Sequence, residues 1–128
     1  MQYLFVYGTL MRRFNNPYAR LLRQHARFLE EGSFMGKLYK LDGYPGAVAE
    51  TDPSTRVYGE IFEVHQTEEL FPELDAYEDI SDDPDTSLYI RRQIEVQAAS
   101  GQPIHCWVYL YNQSVEGYES YRIGYFEA

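Results

Sequence analysis

Two short stretches of the sequence place residue types at spacings that can do chemistry. The first is Tyr7-Gly8-Thr9-Leu10, where an apolar run breaks at a glycine that permits a sharp turn or a close approach of backbone to ligand. Successive N–H groups in such a turn form a concave nest for an anion. A carboxylate held this way needs no basic side chain; the alternative is an ordinary strand-to-loop turn. The second is Leu74-Asp75-Ala76-Tyr77-Glu78. On a helix, Leu74 and Tyr77 share the apolar stripe and Glu78, four residues after Leu74, lies beside it, whereas Asp75 and Asp79 are free to face water. A carboxylate among tyrosines and apolar groups has its pKa raised by desolvation, which suits a general base near neutral pH. The alternative is a surface glutamate in a last helical turn.

Other candidates fall to spacing. His25, His65 and His105 stand about forty residues apart, and none has a second His or Cys at metal-ligand spacing. His105 and Cys106 are adjacent on an expected strand, so they point to opposite faces and make no dyad. Cys106 reads as a small buried hydrophobe. The acidic loop from Asp79 to Asp85 lacks the glycine and closing glutamate of a calcium-binding loop and reads as solvated. Neither a nucleophile-elbow serine nor a phosphate-binding glycine loop is present. No metal and no cofactor is expected.

The elements that must position the two stretches follow from the pattern. Tyr3 to Tyr7 reads as a strand buried on both faces. Asn16 caps a helix over residues 17–26 with Pro17 at its first position, Leu21, Leu22 and Ala26 inside, and Arg20, Arg23 and Gln24 outside. Strands are expected over 34–41, with Gly36 as a bend, over 47–49, and over 57–64, separated by the turns Asp42-Gly43-Tyr44-Pro45-Gly46 and Asp52-Pro53-Ser54. Thr67 is expected to cap a helix carrying Leu70, Phe71, Leu74 and Tyr77. Pro72, which costs roughly 3 kcal/mol inside a helix, predicts a short first turn and then a second helical piece. Residues 88–98 and 104–111 form a hairpin around Ser100-Gly101-Gln102, and a short helix is expected near 115–121. Strands outnumber helices, and the helices do not follow every strand. The fold class is therefore α+β, a closed or strongly curved mixed sheet with helices packed outside.

Composition narrows the partners. The 128 residues hold 20 acids against 11 Lys+Arg, a net charge of −9, and are read as one domain, residues 1–128. Nucleic acid is disfavoured, because phosphate binding needs clustered cations, and an anionic membrane surface is repelled for the same reason. No apolar run approaches the ~18–20 residues that span a bilayer, and the first residues lack the regions of a signal peptide. The single cysteine makes no internal disulfide, so a reducing cytoplasm is expected. Nothing fixes the oligomeric state.

Taken together, the blocks resemble the γ-glutamylcyclotransferase-like, or AIG2-like, family. Its signature is similar to Tyr7-Gly8-Thr9-Leu10, then Gly36-x-Leu38-Tyr39-x-Leu41 with Tyr44-Pro45-Gly46. Val57-x-Gly59-Glu60-x-Phe62-x-Val64 and Leu74-Asp75-x-Tyr77-Glu78 follow, and Tyr89-x-Arg91 and Val108-Tyr109 match late strands. The resemblance spans residues 3 to about 111.

It implies a small mixed β-barrel flanked by short helices and a small-molecule γ-glutamyl substrate. The implied reaction is an intramolecular aminolysis giving 5-oxoproline and a free amine. It assigns Glu78 as acid/base and Tyr7, Gly8, Thr9 and Leu10 as the loop that holds the glutamyl head, with Tyr109 lining the pocket. Thr9, where glutathione-specific relatives resemble Tyr-Gly-Ser-Leu, leans away from that branch. Asp79, where many relatives have glycine, adds a negative charge expected to raise the Glu78 pKa further. The rivals are a non-catalytic module that binds a small metabolite in the same pocket, and amide transfer or hydrolysis there.

Overall fold

The computed structural model describes residues 2–41, 44–52, 54–78, 83 and 85–126. It contains strands β1 (Gln2–Val6), β2 (Ala26–Lys40), β3 (Pro45–Ala49), β4 (Arg56–Val64), β5 (Tyr89–Ala98) and β6 (Pro103–Tyr111), and helices α1 (Pro17–His25) and α2 (Thr67–Tyr77). The sheet order is β3-β2-β4-β1-β6-β5, and β2 also pairs with β5. That last pairing, Gly32 with Ala98 and Ser33 with Gln97, closes β2, β4, β1, β6 and β5 into a five-stranded barrel. The pairing of β1 with β6 is parallel and the others are antiparallel. The fold is α+β, a mixed barrel with two short helices outside it.

Apolar side chains are buried on both faces of the barrel wall, since neighbours on one strand point to opposite faces. Leu4, Phe5, Phe34, Val57, Ile61, Phe62, Val96 and Val108 are all essentially inaccessible. Gly59 lets β4 cross β1 closely: a Cβ there would lie 2.2 Å from the carbonyl oxygen of Val6. In α1, Asn16 caps as its sequence predicts, its Oδ1 accepting from the N–H groups of Tyr18 at 3.1 Å and Ala19 at 2.8 Å.

Four local expectations are corrected. Strand β2 starts at Ala26 rather than residue 34, and its register with β4 shifts between Phe28 and Glu30; that bulge breaks the alternation by which its first half would have been read. Strand β3 starts at Pro45, so Pro45 and Gly46 are strand residues rather than turn, while Asp42 and Gly43 lie outside the described residues. Helix α2 is continuous through Pro72, and its N-cap is Gln66, without a side-chain cap, rather than Thr67. Pro72 leaves the carbonyl of Glu68 without its helical donor, but both residues are exposed, and water can satisfy it. The helix expected near 115–121 is absent. Gly117 has φ +88°, and the chain instead lies along β2, where the Lys40 N–H donates to the Glu119 carbonyl at 2.7 Å and the Tyr121 N–H to that of Leu38 at 2.7 Å.

Candidate active site

β1 delivers its last residues to one end of the barrel, where the chain leaves the sheet at Tyr7. The loop that follows is tied down on both sides. Arg12 gives its backbone N–H to Glu60 Oε1 at 2.8 Å and its Nε to Oε2 at 3.3 Å, and Asn16 Nδ2 donates to the Thr9 carbonyl at 2.8 Å. Glu60 thereby acts from within the barrel wall as an anchor for the loop. Among the described residues, the N–H groups of Gly8, Thr9 and Leu10 have no hydrogen-bond acceptor.

This loop borders a cavity of about 270 Å³ that Glu78 also lines, together with Tyr7, Tyr77, Tyr89 and Tyr109. All of the residues singled out from the sequence, Tyr7, Gly8, Thr9, Leu10, Glu78 and Tyr109, border this one cavity. Among the described residues, neither Lys nor Arg lines it and Glu78 is its one carboxylate. Glu78 is held by the end of α2, its N–H donating to the Leu74 carbonyl at 2.9 Å. Burial, and secondarily the negative charge of Asp75, push its pKa up from 4.5 to about 7. The expected contribution of Asp79 lies outside the described residues.

The tyrosines are fixed by their hydroxyls. Tyr7 donates to the Tyr109 carbonyl and accepts from the Ala47 N–H at 3.2 Å. Tyr89 donates to the Pro45 carbonyl at 2.6 Å, and Tyr109 to Asp75 Oδ1 at 2.6 Å. Desolvation, first among several causes, raises the pKa of all three phenols, so they stay protonated. At the mouth, the Tyr77 and Thr9 hydroxyls lie 2.9 Å apart and the Tyr77 ring stacks on Tyr18 at 4.2 Å.

The sequence assigned no site role to Tyr77, Tyr89 or Pro45, although each stands in one of the motif blocks. It also left Asp75 more freedom to face water than Glu78, whereas in the structure Asp75 is tied to two neighbouring side chains. Asp75 is half-buried and takes two hydrogen bonds from Arg91, at 2.9 Å from Nε and 3.2 Å from Nη2. The Arg91 guanidinium lies over the rings of Phe71 at 4.3 Å and Trp107 at 4.8 Å. Cys106 is buried, its thiol pushed up to about 12 by desolvation, while its neighbour His105 is exposed.

Chemically, the residues around the cavity combine backbone donors of the loop with a carboxyl group whose pKa burial raises towards neutrality. A model of the family described as gamma-glutamyl cyclotransferase, AIG2-like, matches residues 4–128. The chain belongs to this family. A Methanocaldococcus jannaschii protein provisionally named a gamma-glutamylcyclotransferase is 29% identical over 120 residues, covering 89% of this chain and 88% of its own. The fold is similar to the crystal structure of a mouse AIG2-like protein, with a TM-score of 0.69 and 30% identity over 86% of this chain and 76% of that one. It is also similar to the solution structure of Escherichia coli ytfP, with a TM-score of 0.67 and 28% identity over 98% of this chain and 96% of that one.

Proposed function

We propose that the chain is a γ-glutamylcyclotransferase-type enzyme, releasing 5-oxoproline from a γ-glutamyl amine or amide. The observation that carries this reading is the shared cavity, in which Glu78 lies with unpaired loop N–H groups and with no basic side chain. A γ-glutamyl head has one carboxylate for the N–H groups of Gly8, Thr9 and Leu10, and one α-ammonium for Glu78.

In this mechanism Glu78 takes a proton from the α-ammonium, and the freed amine attacks the side-chain amide carbon. A C–N bond forms and closes the five-membered ring, and the oxyanion meets backbone donors. The amide C–N bond then breaks as Glu78 returns a proton to the departing nitrogen. Two protons leave the α-nitrogen in all, and both end on the released amine as its ammonium. Atoms and charge balance without water or cofactor. A positioned acid/base of matched pKa contributes about 10²–10⁴ in rate, and holding two groups of one molecule in attack geometry contributes the rest. A reducing cytoplasm accords with the single, buried Cys106.

The test is incubation with a panel of γ-glutamyl compounds while 5-oxoproline is monitored. Wild-type protein should turn over at least one compound, and Glu78→Gln, folded by circular dichroism, should lose about 10²–10⁴ of that rate. Undiminished turnover in the variant would refute the assigned role. No turnover of any compound by the wild type would favour the metabolite-binding module.

A further inference from the structure

The groups that line the cavity fall into two sets of opposite hydrogen-bond polarity. A phenol carries one hydrogen, and for Tyr7, Tyr89 and Tyr109 that hydrogen is already committed to the protein. Tyr89 spends its hydrogen on the Pro45 carbonyl, Tyr7 on the Tyr109 carbonyl, and Tyr109 on Asp75. Tyr89 and Tyr109 can therefore offer a ligand only lone pairs, alongside the Glu78 carboxylate. The other set has the N–H groups of Gly8, Thr9 and Leu10. It also has the Thr9–Tyr77 hydroxyl pair, which spends one hydrogen internally and keeps another.

The direction of the Tyr109 hydroxyl is not its own choice. Asp75 receives both donors of the Arg91 fork, and a carboxylate so paired can only accept. Arg91 is itself held over two aromatic rings, so the chain of constraint runs from ring faces through guanidinium and carboxylate to phenol. We propose that Asp75 is a positioning residue that fixes Tyr109 as a hydrogen-bond acceptor. With Tyr89 and Glu78 it thereby creates an ammonium subsite that selects ligands carrying a free α-amine. The identity of the ligand as a γ-glutamyl compound rests on the function proposed above; the polarity of the subsite does not.

An ammonium group supplies three donors and a positive charge to these acceptors. A ligand with CH₂ in its place leaves buried lone pairs facing carbon, and an N-acylated ligand loses the charge and two of the donors. Alanine at position 75 removes the carboxylate oxygen that both Arg91 Nε and the Tyr109 hydroxyl contact, and so frees that hydroxyl to turn. The hydrogen of Tyr109 can then point into the cavity and oppose the ammonium.

The test uses two uncleavable probes, L-methionine sulfone and its desamino counterpart 4-(methylsulfonyl)butanoate, titrated by ligand-observed NMR at pH 8. The wild type should bind the amino compound at least about tenfold more tightly, since sites built around a ligand N–H reject analogues that lack it. In Asp75→Ala and in Tyr109→Phe that preference should fall below about threefold, with affinity for the desamino probe kept within about twofold. Equal losses for both probes would show a merely structural role and overturn the proposal. So would an unchanged preference in the variants, no preference in the wild type, or binding of neither probe. Should Asp75→Ala fail to fold, Tyr109→Phe alone decides, because it removes the acceptor without touching Arg91. Preference without turnover of any γ-glutamyl compound would sink only the reaction, and turnover without preference would sink only the subsite.

Discussion

In the proposed function, the single carboxyl group of Glu78 ties stability to activity. Its pKa is raised to about 7 because the cavity desolvates it and Asp75 lies near it. If the ionised form is the base, kcat/KM should rise with pH through an apparent pKa near 7, read from initial rates at subsaturating substrate. The same shift acts on stability. A group whose folded pKa exceeds its unfolded value binds more protons when folded, so its stabilisation is complete below about 4.5 and is lost as pH climbs to about 7. The loss is at most about 3 kcal/mol. Glu78→Gln removes the titration, so its melting temperature should gain on that of the wild type between pH 4.5 and pH 8, by several degrees. A constant difference across that range would place the Glu78 pKa at its ordinary value. The position of Glu78 was legible because it follows from one helix and its own stripe. The environment of Asp75 was not: its partners Arg91 and Tyr109 are 16 and 34 residues away, paired across the β5–β6 hairpin, which only the folded molecule brings against α2.

At the scale of elements, the loop after β1 is held by its neighbours rather than by its own sequence. Glu60 of β4 anchors Arg12, Asn16 before α1 anchors Thr9, and Gly59 sets how near β4 comes to β1. A methyl group at Gly59 meets the backbone oxygen of Val6 at 2.2 Å, and backbone cannot swing aside as a side chain can. Gly59→Ala should therefore cost about 1–3 kcal/mol or more in urea unfolding, as overpacking does, and should raise KM by displacing the loop. A stability within about 0.5 kcal/mol of wild type would mean that the strands part freely there. Strand β4 and the hairpin of β5 and β6 could be read from the sequence almost to their ends. The first half of β2 could not, because its bulge shifts the pattern by a residue, and α2 defied its proline because Leu70, Phe71 and Leu74 bury one face while Pro72 stays outside.

Across the whole molecule, the charge of −9 and the absence of Lys or Arg from the cavity lining act together. The head of a γ-glutamyl compound is a zwitterion, so its net charge is decided by the amine that leaves. The field of an acidic protein attracts a cationic leaving group, is indifferent to a neutral one and repels an anionic one. Raising ionic strength from about 10 to 150 mM shortens the screening length from about 30 to 8 Å. Over that range kcat/KM should fall severalfold for a substrate with a cationic leaving amine, change less than about twofold for a neutral one, and rise for an anionic one. Rates measured with three such substrates at matched pH would check the sequence of signs. A common salt response for all three would show that association is governed inside the cavity, by the loop N–H groups and Glu78, and not by the acids spread over the surface.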